Sequence, residues 1–256
     1  MTSRRGGVAT ILLAVTVLAA CGESTQTTSS NSPGQVIVTS SSTPPSSAAA
    51  PMPSPTPAAQ RYVAASVPVT GVSGTTTVDV LLPQVTGGDA AVRSRFNSGM
   101  RAGLDDLIGN VGGGQFTVAN GSLVTDERSR VTTITETVVA GVGIYMTNAP
   151  GAAHPNNHVA TTTINASTAQ PILLTDVFVD PAAAAQRLAM LVPRLDSRAD
   201  PPQPAIDSFL NWVPLSTGFH IYVSVIHALG DYLPVTVPWD DISDLMKPGM
   251  AAVLGG

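Results

Sequence analysis

The side chains that could do chemistry in this chain are four histidines, one cysteine and many serines. A hydrolase needs a nucleophile, a general base and an orienting group held together, and these residue types could supply all three. The nucleophile motif Gly-x-Ser-x-Gly is absent, and the segment Gly71-Val-Ser73-Gly74 lies between two predicted strands instead of at a strand-to-helix turn. No catalytic residue is therefore assigned, and an esterase with an unrecognised Ser/His site stays an alternative.

Two of the histidines, His154 and His158, are four residues apart. On a helix this spacing brings two imidazoles to one metal ion, but Pro155 between them argues against a helix. The sequence also lacks a Cys/His cluster, a phosphate-binding glycine loop and a dinucleotide fingerprint. No metal site and no cofactor are predicted.

A loop rich in Gly, Pro and Asn, from Gly151 to Asn157, contains the first candidate for ligand contact. Its His154 either orders the loop through hydrogen bonds or faces a ligand. Strand alternation over 219–227 places His220, Tyr222 and Ser224 on one face, which is predicted to be solvated or to contact a partner. Tyr232 and Trp239 are the aromatic residues expected at an interface, although core packing is favoured for Trp239. The candidate binding residues are His154, Asn156, Asn157, His220, Tyr222, Tyr232 and Trp239.

The only cysteine, Cys21, indicates lipidation. It ends the segment Leu18-Ala-Ala-Cys21, after Arg4, Arg5 and the apolar run from Val8 to Ala20. That run is too short to span a bilayer core of about 30 Å, so it is read as a cleaved export signal. Small residues before a lone cysteine are typical of bacterial lipoproteins, which are acylated there. We expect a signal peptide at 1–20 and a lipid anchor at Cys21 on the extracytoplasmic face of the cell membrane. An ordinary signal peptide, with Cys21 incidental, is the alternative.

Residues 21–60 are predicted to be a disordered tether. After Cys21 they hold mainly Ser, Thr, Pro and Ala, with Glu23 as their only charged residue. Such a segment cannot bury enough apolar surface to offset the loss of backbone entropy. As a flexible coil it reaches roughly 35 to 40 Å, enough to hold a domain away from the membrane.

The remaining residues, 61–256, are predicted to form one domain. They carry 10 basic and 16 acidic side chains, so a nucleic acid or an anionic membrane surface is not expected as a partner. Apolar periodicity and turn residues predict a strand at each end of a Gly71–Gly74 turn, a helix with a stripe from Val92 to Ile108, and a second helix over 181–195. Further strands are predicted within 116–146, with a tight turn at Asn120-Gly121, and over 158–164, 209–214, 219–226 and 233–237, before a short helix at 239–246. This order predicts an α+β fold, with one mostly antiparallel sheet covered on one face by the helices.

Three segments resemble the RsiV-like extracellular domain. The first runs from Gly151-Ala-Ala-His154-Pro155 to the Thr-rich strand ending at Asn165, and the second is Pro171-Ile-Leu-Leu-Thr-Asp-Val-Phe178. The third is the carboxy-terminal run from Gly218 to Met246. The resemblance covers about residues 61 to 250 and is closest to the branch of secreted mycobacterial immunogenic antigens. The stretch from Ser224 to Gly230 departs from the anti-sigma members, because their Pro-Tyr-containing stretch has no counterpart here.

The resemblance implies extracytoplasmic binding without catalysis. The family includes anti-sigma factors whose outer domain binds lysozyme, but that role needs a cytoplasmic segment and a retained transmembrane helix. Only seven residues precede the apolar run, and Cys21 predicts cleavage. We therefore expect a cell-envelope lipoprotein that binds a protein or a cell-wall glycan, with the esterase and a lipid carrier as alternatives. Its oligomeric state is not predicted.

Overall fold

The computed structural model describes residues 61–111 and 114–255. The predictions for the signal peptide, Cys21 and the tether lie outside these residues. Within the described ranges, no helix combines the length and the apolar character that crossing a bilayer requires.

Nine strands and four α-helices form in the described part of the chain. The strands are β1 (Val63–Ser73), β2 (Thr76–Thr86), β3 (Phe116–Asn120), β4 (Arg130–Ile134), β5 (Val138–Asn148), β6 (Asn156–Asn165), β7 (Trp212–Leu215), β8 (Gly218–Ser224) and β9 (Tyr232–Val237). The helices are α1 (Ala90–Asn110), α2 (Leu174–Val177), α3 (Pro181–Leu195) and α4 (Met250–Leu254).

The strands divide into two sheets. The large sheet has the order β1-β2-β3-β5-β4, with β6 along the other edge of β5, and only the β2–β3 pair is parallel. The small sheet, β7-β8-β9, is antiparallel. The α+β prediction is confirmed, but the prediction of one sheet with all helices on one face is wrong. The last three strands form a separate sheet because β8 pairs with its sequence neighbours alone.

Helix α1 covers one face of the large sheet. Asp89 begins the helix by accepting hydrogen bonds from the backbone N–H groups of Ala91 and Val92, at 2.8 and 3.0 Å. The predicted apolar stripe is buried at Val92, Phe96, Met100 and Leu104. These side chains form a core with alternate residues of β2 and β5.

The small sheet covers the opposite face of the large sheet. On β5, Val139 and Tyr145 point toward α1, whereas Val138, Ala140, Val142 and Ile144 belong to the core beneath the small sheet. Helix α3 packs on that second core, through Leu188 and Val192 among others. Its predicted bounds, 181–195, are confirmed, with Asp180 as the cap and Pro181 at the first position.

Four local predictions are corrected by the structure. Strand β6 begins at Asn156, so Asn156 and Asn157 lie in a strand and not in the preceding loop. No tight hairpin turn forms at Asn120-Gly121, because β3 pairs with β5 and β4 begins only at Arg130. Strand β7 begins at Trp212, since Phe209 ends a short 3₁₀ helix. The predicted final helix is instead two 3₁₀ turns, at 239–241 and 243–245, interrupted at Ile242, and α4 follows them.

Candidate functional site

His220 and Tyr222 are buried, which makes the prediction of a solvated face wrong for both residues. They are only 7% and 2% exposed, because the loop between β3 and β4 places Glu127 against them. The Tyr222 hydroxyl donates a hydrogen bond of 2.7 Å to one carboxylate oxygen of Glu127, and Arg130 lies 2.8 Å from the same oxygen. Neither His220 nor Tyr222 therefore offers a surface to a ligand.

The buried histidine completes this polar network. His220 Nδ1 hydrogen-bonds to the Thr236 hydroxyl at 2.7 Å, and its Nε2 lies 3.4 Å from the other Glu127 oxygen. Burial by itself would raise the pKa of Glu127, but the contacts with His220 and Tyr222 and the charge of Arg130 outweigh it and lower that pKa. Burial, together with the Glu127 charge, raises the pKa of Tyr222. These buried polar contacts therefore link the loop between β3 and β4 to the small sheet.

Trp239 also belongs to the interior. Its indole N–H donates to the Leu215 carbonyl oxygen at 3.1 Å, and its ring packs edge-on against Phe219 with centroids 6.3 Å apart. The residue is 9% exposed, so the preference for core packing is confirmed.

The other four candidate residues gather at one end of the molecule. His154 stacks on His227, with ring centroids 3.5 Å apart and an interplanar angle of 11°. Asp231 holds His227 through a 2.9 Å contact between Oδ1 and Nδ1, and its Oδ2 accepts the Asn157 backbone N–H at 2.7 Å. We call His154, Asn157, His227 and Asp231 the histidine cluster. His154 is exposed and the His227 side chain is 39% exposed, so both rings can be reached from solvent.

The turn between β8 and β9 builds this cluster. Gly230 and Asp231 adopt left-handed conformations, with φ of 92° and 71°, and reverse the chain there. The reversal points the Asp231 carboxylate at the start of β6 and at His227 simultaneously. A cleft of about 380 Å³ adjoins the cluster, beneath the carboxy-terminal half of α1.

We call this second feature the α1 cleft. Its polar lining is Asn110, Thr147, Asn156, His158 and Tyr232, and Tyr145 lies in its floor. His158 Nε2 is hydrogen-bonded to the Thr147 hydroxyl at 2.9 Å. Burial lowers the pKa of His158, against the opposing effect of the Asp231 charge, so the imidazole is neutral at pH 7.

The glycines of α1 set the shape of this cleft. A Cβ atom on Gly103 would lie 2.8 Å from the Ala160 Cβ, and one on Gly99 would lie 2.8 Å from Thr162 Cγ2. The helix therefore rests directly on β6. The cleft lies beyond Gly103, at the carboxy-terminal end of α1, where Asn110 is one of the lining residues.

Sequence reasoning found His154, Asn156, Asn157 and Tyr232 but missed several residues that the structure brings to them. Those missed are Thr147, His158, His227 and Asp231, together with Glu127 in the buried network. Gly230-Asp231 between two predicted strands is a turn signal that could have placed Asp231 beside the strand ends. No local pattern pairs Asp231 with residue 157, because the two are 74 residues apart.

The described residues contain no assembled set for hydrolysis or metal binding. Within 61–111 and 114–255, no serine hydroxyl is hydrogen-bonded to a histidine; the hydroxyls bonded to imidazoles are those of Thr147 and Thr236. No group of three His, Cys, Asp or Glu side chains in these ranges is arranged to hold a metal ion. A second groove, of about 560 Å³, runs between α1 and the segment 171–175 and is lined by apolar residues such as Leu173 and Leu210. The histidine cluster and the α1 cleft can offer a ligand hydrogen bonds and contact with imidazole and aromatic rings.

Two solved structures of the DUF3298 family are similar to this chain. The first, from Bacteroides fragilis, has a TM-score of 0.52 and 11% identity, and the match covers 76% of this chain and 96% of that one. The second, from Pseudomonas aeruginosa, has a TM-score of 0.46 and 12% identity, over 75% and 95% of the two chains. The first likeness establishes a shared fold alone. No family model and no curated protein matches the chain.

Proposed function

We propose that this chain is a lipid-anchored protein of the cell envelope whose domain binds a protein or a cell-wall ligand without catalysis. The observation that carries the proposal is the histidine cluster with the adjoining α1 cleft. Together they concentrate four of the seven sequence-predicted binding residues at one end of the domain. The anchor is Cys21 and the location is the extracytoplasmic face of the membrane.

The contact between His154 and His227 supports this proposal. His154 comes from the first segment that resembles the family, whereas His227 lies in the stretch from Ser224 to Gly230 that departs from its anti-sigma members. The two side chains stack on one another in the folded domain. Segments that are 73 residues apart in sequence therefore meet at the proposed binding surface. The DUF3298 fold of the neighbour is compatible with the RsiV-like assignment, which remains part of the proposal.

The cluster is also preorganised. The His227 ring is held by Asp231, the Asp231 carboxylate is held by the backbone of β6, and His154 rests on His227. A surface whose side chains are already ordered loses less entropy on binding than a set of free rotamers. This ordering favours a recognition role for the exposed rings.

The esterase alternative has less support. It needs a serine beside a histidine, and the imidazole-bonded hydroxyls of the described residues belong to threonines. Thr236 is paired with the buried His220, at a site without a cleft for substrate in the described structure. No observation favours hydrolysis over binding.

The test is capture of envelope components by the full chain, purified in detergent and immobilised. Proteins and glycans retained by the wild type are identified by mass spectrometry, and the same capture is run with His154→Ala and His227→Ala. Asp240→Ala is the control, because Asp240 is exposed and lies outside the cluster. We expect one component to be retained by wild type and control and reduced at least ten-fold by both histidine variants. Equal retention by all four proteins would contradict the proposal.

A further inference from the structure

We infer that the α1 cleft is a binding site for a neutral saccharide. This inference rests on the proposed binding function and names the ligand class for the cleft, which lies beside the histidine cluster. It is carried by the chemistry of the lining residues, by their exposure and by the size of the cleft.

Every polar group in the lining is uncharged. The side chains are two amides, three hydroxyls in Tyr145, Thr147 and Tyr232, and the imidazole of His158, and among the described residues no Arg, Lys, Asp or Glu lines the cleft. An anionic or cationic ligand would lose its hydration there without meeting an opposite charge. Amides, hydroxyls and a neutral imidazole all combine donors and acceptors, which is what a sugar hydroxyl requires.

Two asparagines line the cleft at exposed positions. Asn110 lies at the end of α1 and Asn156 at the start of β6, and both residues are exposed. Both line the cleft, one from a helix and the other from a strand, so two side-chain amides are available to a ligand there. His158 also lies on β6, two residues beyond Asn156, with Nε2 bonded to Thr147 and Nδ1 as its second hydrogen-bonding atom.

The remaining lining is apolar and partly aromatic. Leu107, Phe116 and Val159 line the cleft beside the ring of Tyr232. A pyranose ring has C–H faces that pack on aromatic and aliphatic side chains, with its hydroxyls pointing outward from the ring edge. At about 380 Å³ the cleft falls in the range of small-ligand sites and has room for one or two sugar units.

The experiment titrates the full chain, in detergent, with three neutral trisaccharides: tri-N-acetylchitotriose, maltotriose and mannotriose. Binding is measured by calorimetry and by saturation-transfer NMR for the wild type, Asn110→Ala and Asn156→Ala. Both substitutions are at exposed positions, so they leave the core intact. Asn148→Ala is the matched control, an exposed asparagine outside the cleft.

We expect at least one trisaccharide to bind the wild type and Asn148→Ala equally, and each cleft variant at least five-fold more weakly. Failure of all three sugars to bind, or equal binding by all four proteins, would overturn the inference. If no sugar binds but the envelope component is still captured by the wild type and lost in His154→Ala, the saccharide site is refuted and the proposed binding function is retained. If His154-dependent capture is absent as well, both fall.

Discussion

Two side chains in the middle of β8 show how strongly neighbouring elements decide the role of a residue. His220 and Tyr222 follow the alternation of an ordinary strand, and the alternation correctly puts them on one face. That face is covered by Glu127, a residue from a loop 93 positions earlier than His220. The same residue types at residues 154 and 232 remain exposed or half-buried and form the candidate site.

The buried network leads to a prediction about acid stability. We expect Glu127→Gln to lower the free energy of unfolding at pH 7 by about 2 to 3 kcal/mol, the cost of losing hydrogen bonds to a buried charge. Because folding lowers the pKa of Glu127, the contribution of this carboxylate is complete above its ordinary pKa of 4.5. It is lost as the pH falls through the lowered value. The wild type should therefore lose stability below pH 4.5 more steeply than the variant.

Urea unfolding from pH 7 to pH 3 checks this, with Glu136→Gln as the matched control because Glu136 is exposed. The control should match the wild type at each pH. Equal stabilities for the two variants would show that the Glu127 network contributes nothing.

At the scale of elements, the helices follow from sequence and the strand partners do not. Capping by Asp89 and Asp180, the stripe on α1 and the proline at the start of α3 are local features that act within one or two turns. The partners of β3, by contrast, depend on contacts across the fold, because β3 pairs with β2 and β5 and not with β4, the next strand in sequence. Gly99 and Gly103 matter both for the helix and for its tertiary contacts, because their lack of a side chain allows α1 to touch β6.

The contact between α1 and β6 gives a second prediction, using two glycines of the same helix. Gly103→Ala places a Cβ 2.8 Å from the Ala160 Cβ, whereas Gly109→Ala has no atom within 4 Å. Both substitutions gain about the same helix propensity, roughly 1 kcal/mol. We expect Gly103→Ala to be less stable than Gly109→Ala by about 1 to 3 kcal/mol, the cost of overpacking. Thermal and urea unfolding measure the difference, and equal stabilities would mean that α1 does not press on β6.

At the scale of the whole molecule, the described domain has two cores around one shared sheet. The large sheet receives α1 on one face and the small sheet on the other. The domain itself contains no long apolar helix. The membrane attachment that we propose for this chain is a lipid at Cys21.

The proposed lipid anchor is tested by replacing Cys21, whose sulfur atom is the proposed attachment point. We expect Cys21→Ala to move the protein from the membrane fraction to the soluble fraction, because acyl chains stabilise membrane binding by about 0.8 kcal/mol per buried CH₂. Fractionation with immunoblotting measures the distribution, and Ser24→Ala is the control. Persistence of Cys21→Ala in the membrane at the wild-type level would refute the anchor.

Local sequence features determined much of the secondary structure of this protein independently of its tertiary contacts. Apolar periodicity and turn residues predicted both main helices, and the same signals predicted most of the strands. These signals succeed because they act through hydrogen bonds and side-chain spacing within a few residues. The α+β class follows from their order along the chain.

Tertiary structure alone decided the division into two sheets, the burial of His220 and Tyr222, and the meeting of His154 with His227. The last two depend on residues more than 70 positions apart, and the pairing energy of such contacts is not encoded in a local pattern. Burial depends on what covers a face, and a strand carries the same alternation whether it is covered or not. The candidate site thus came from four residues that the sequence could name and from a turn at Gly230-Asp231 whose placement only the folded chain determined.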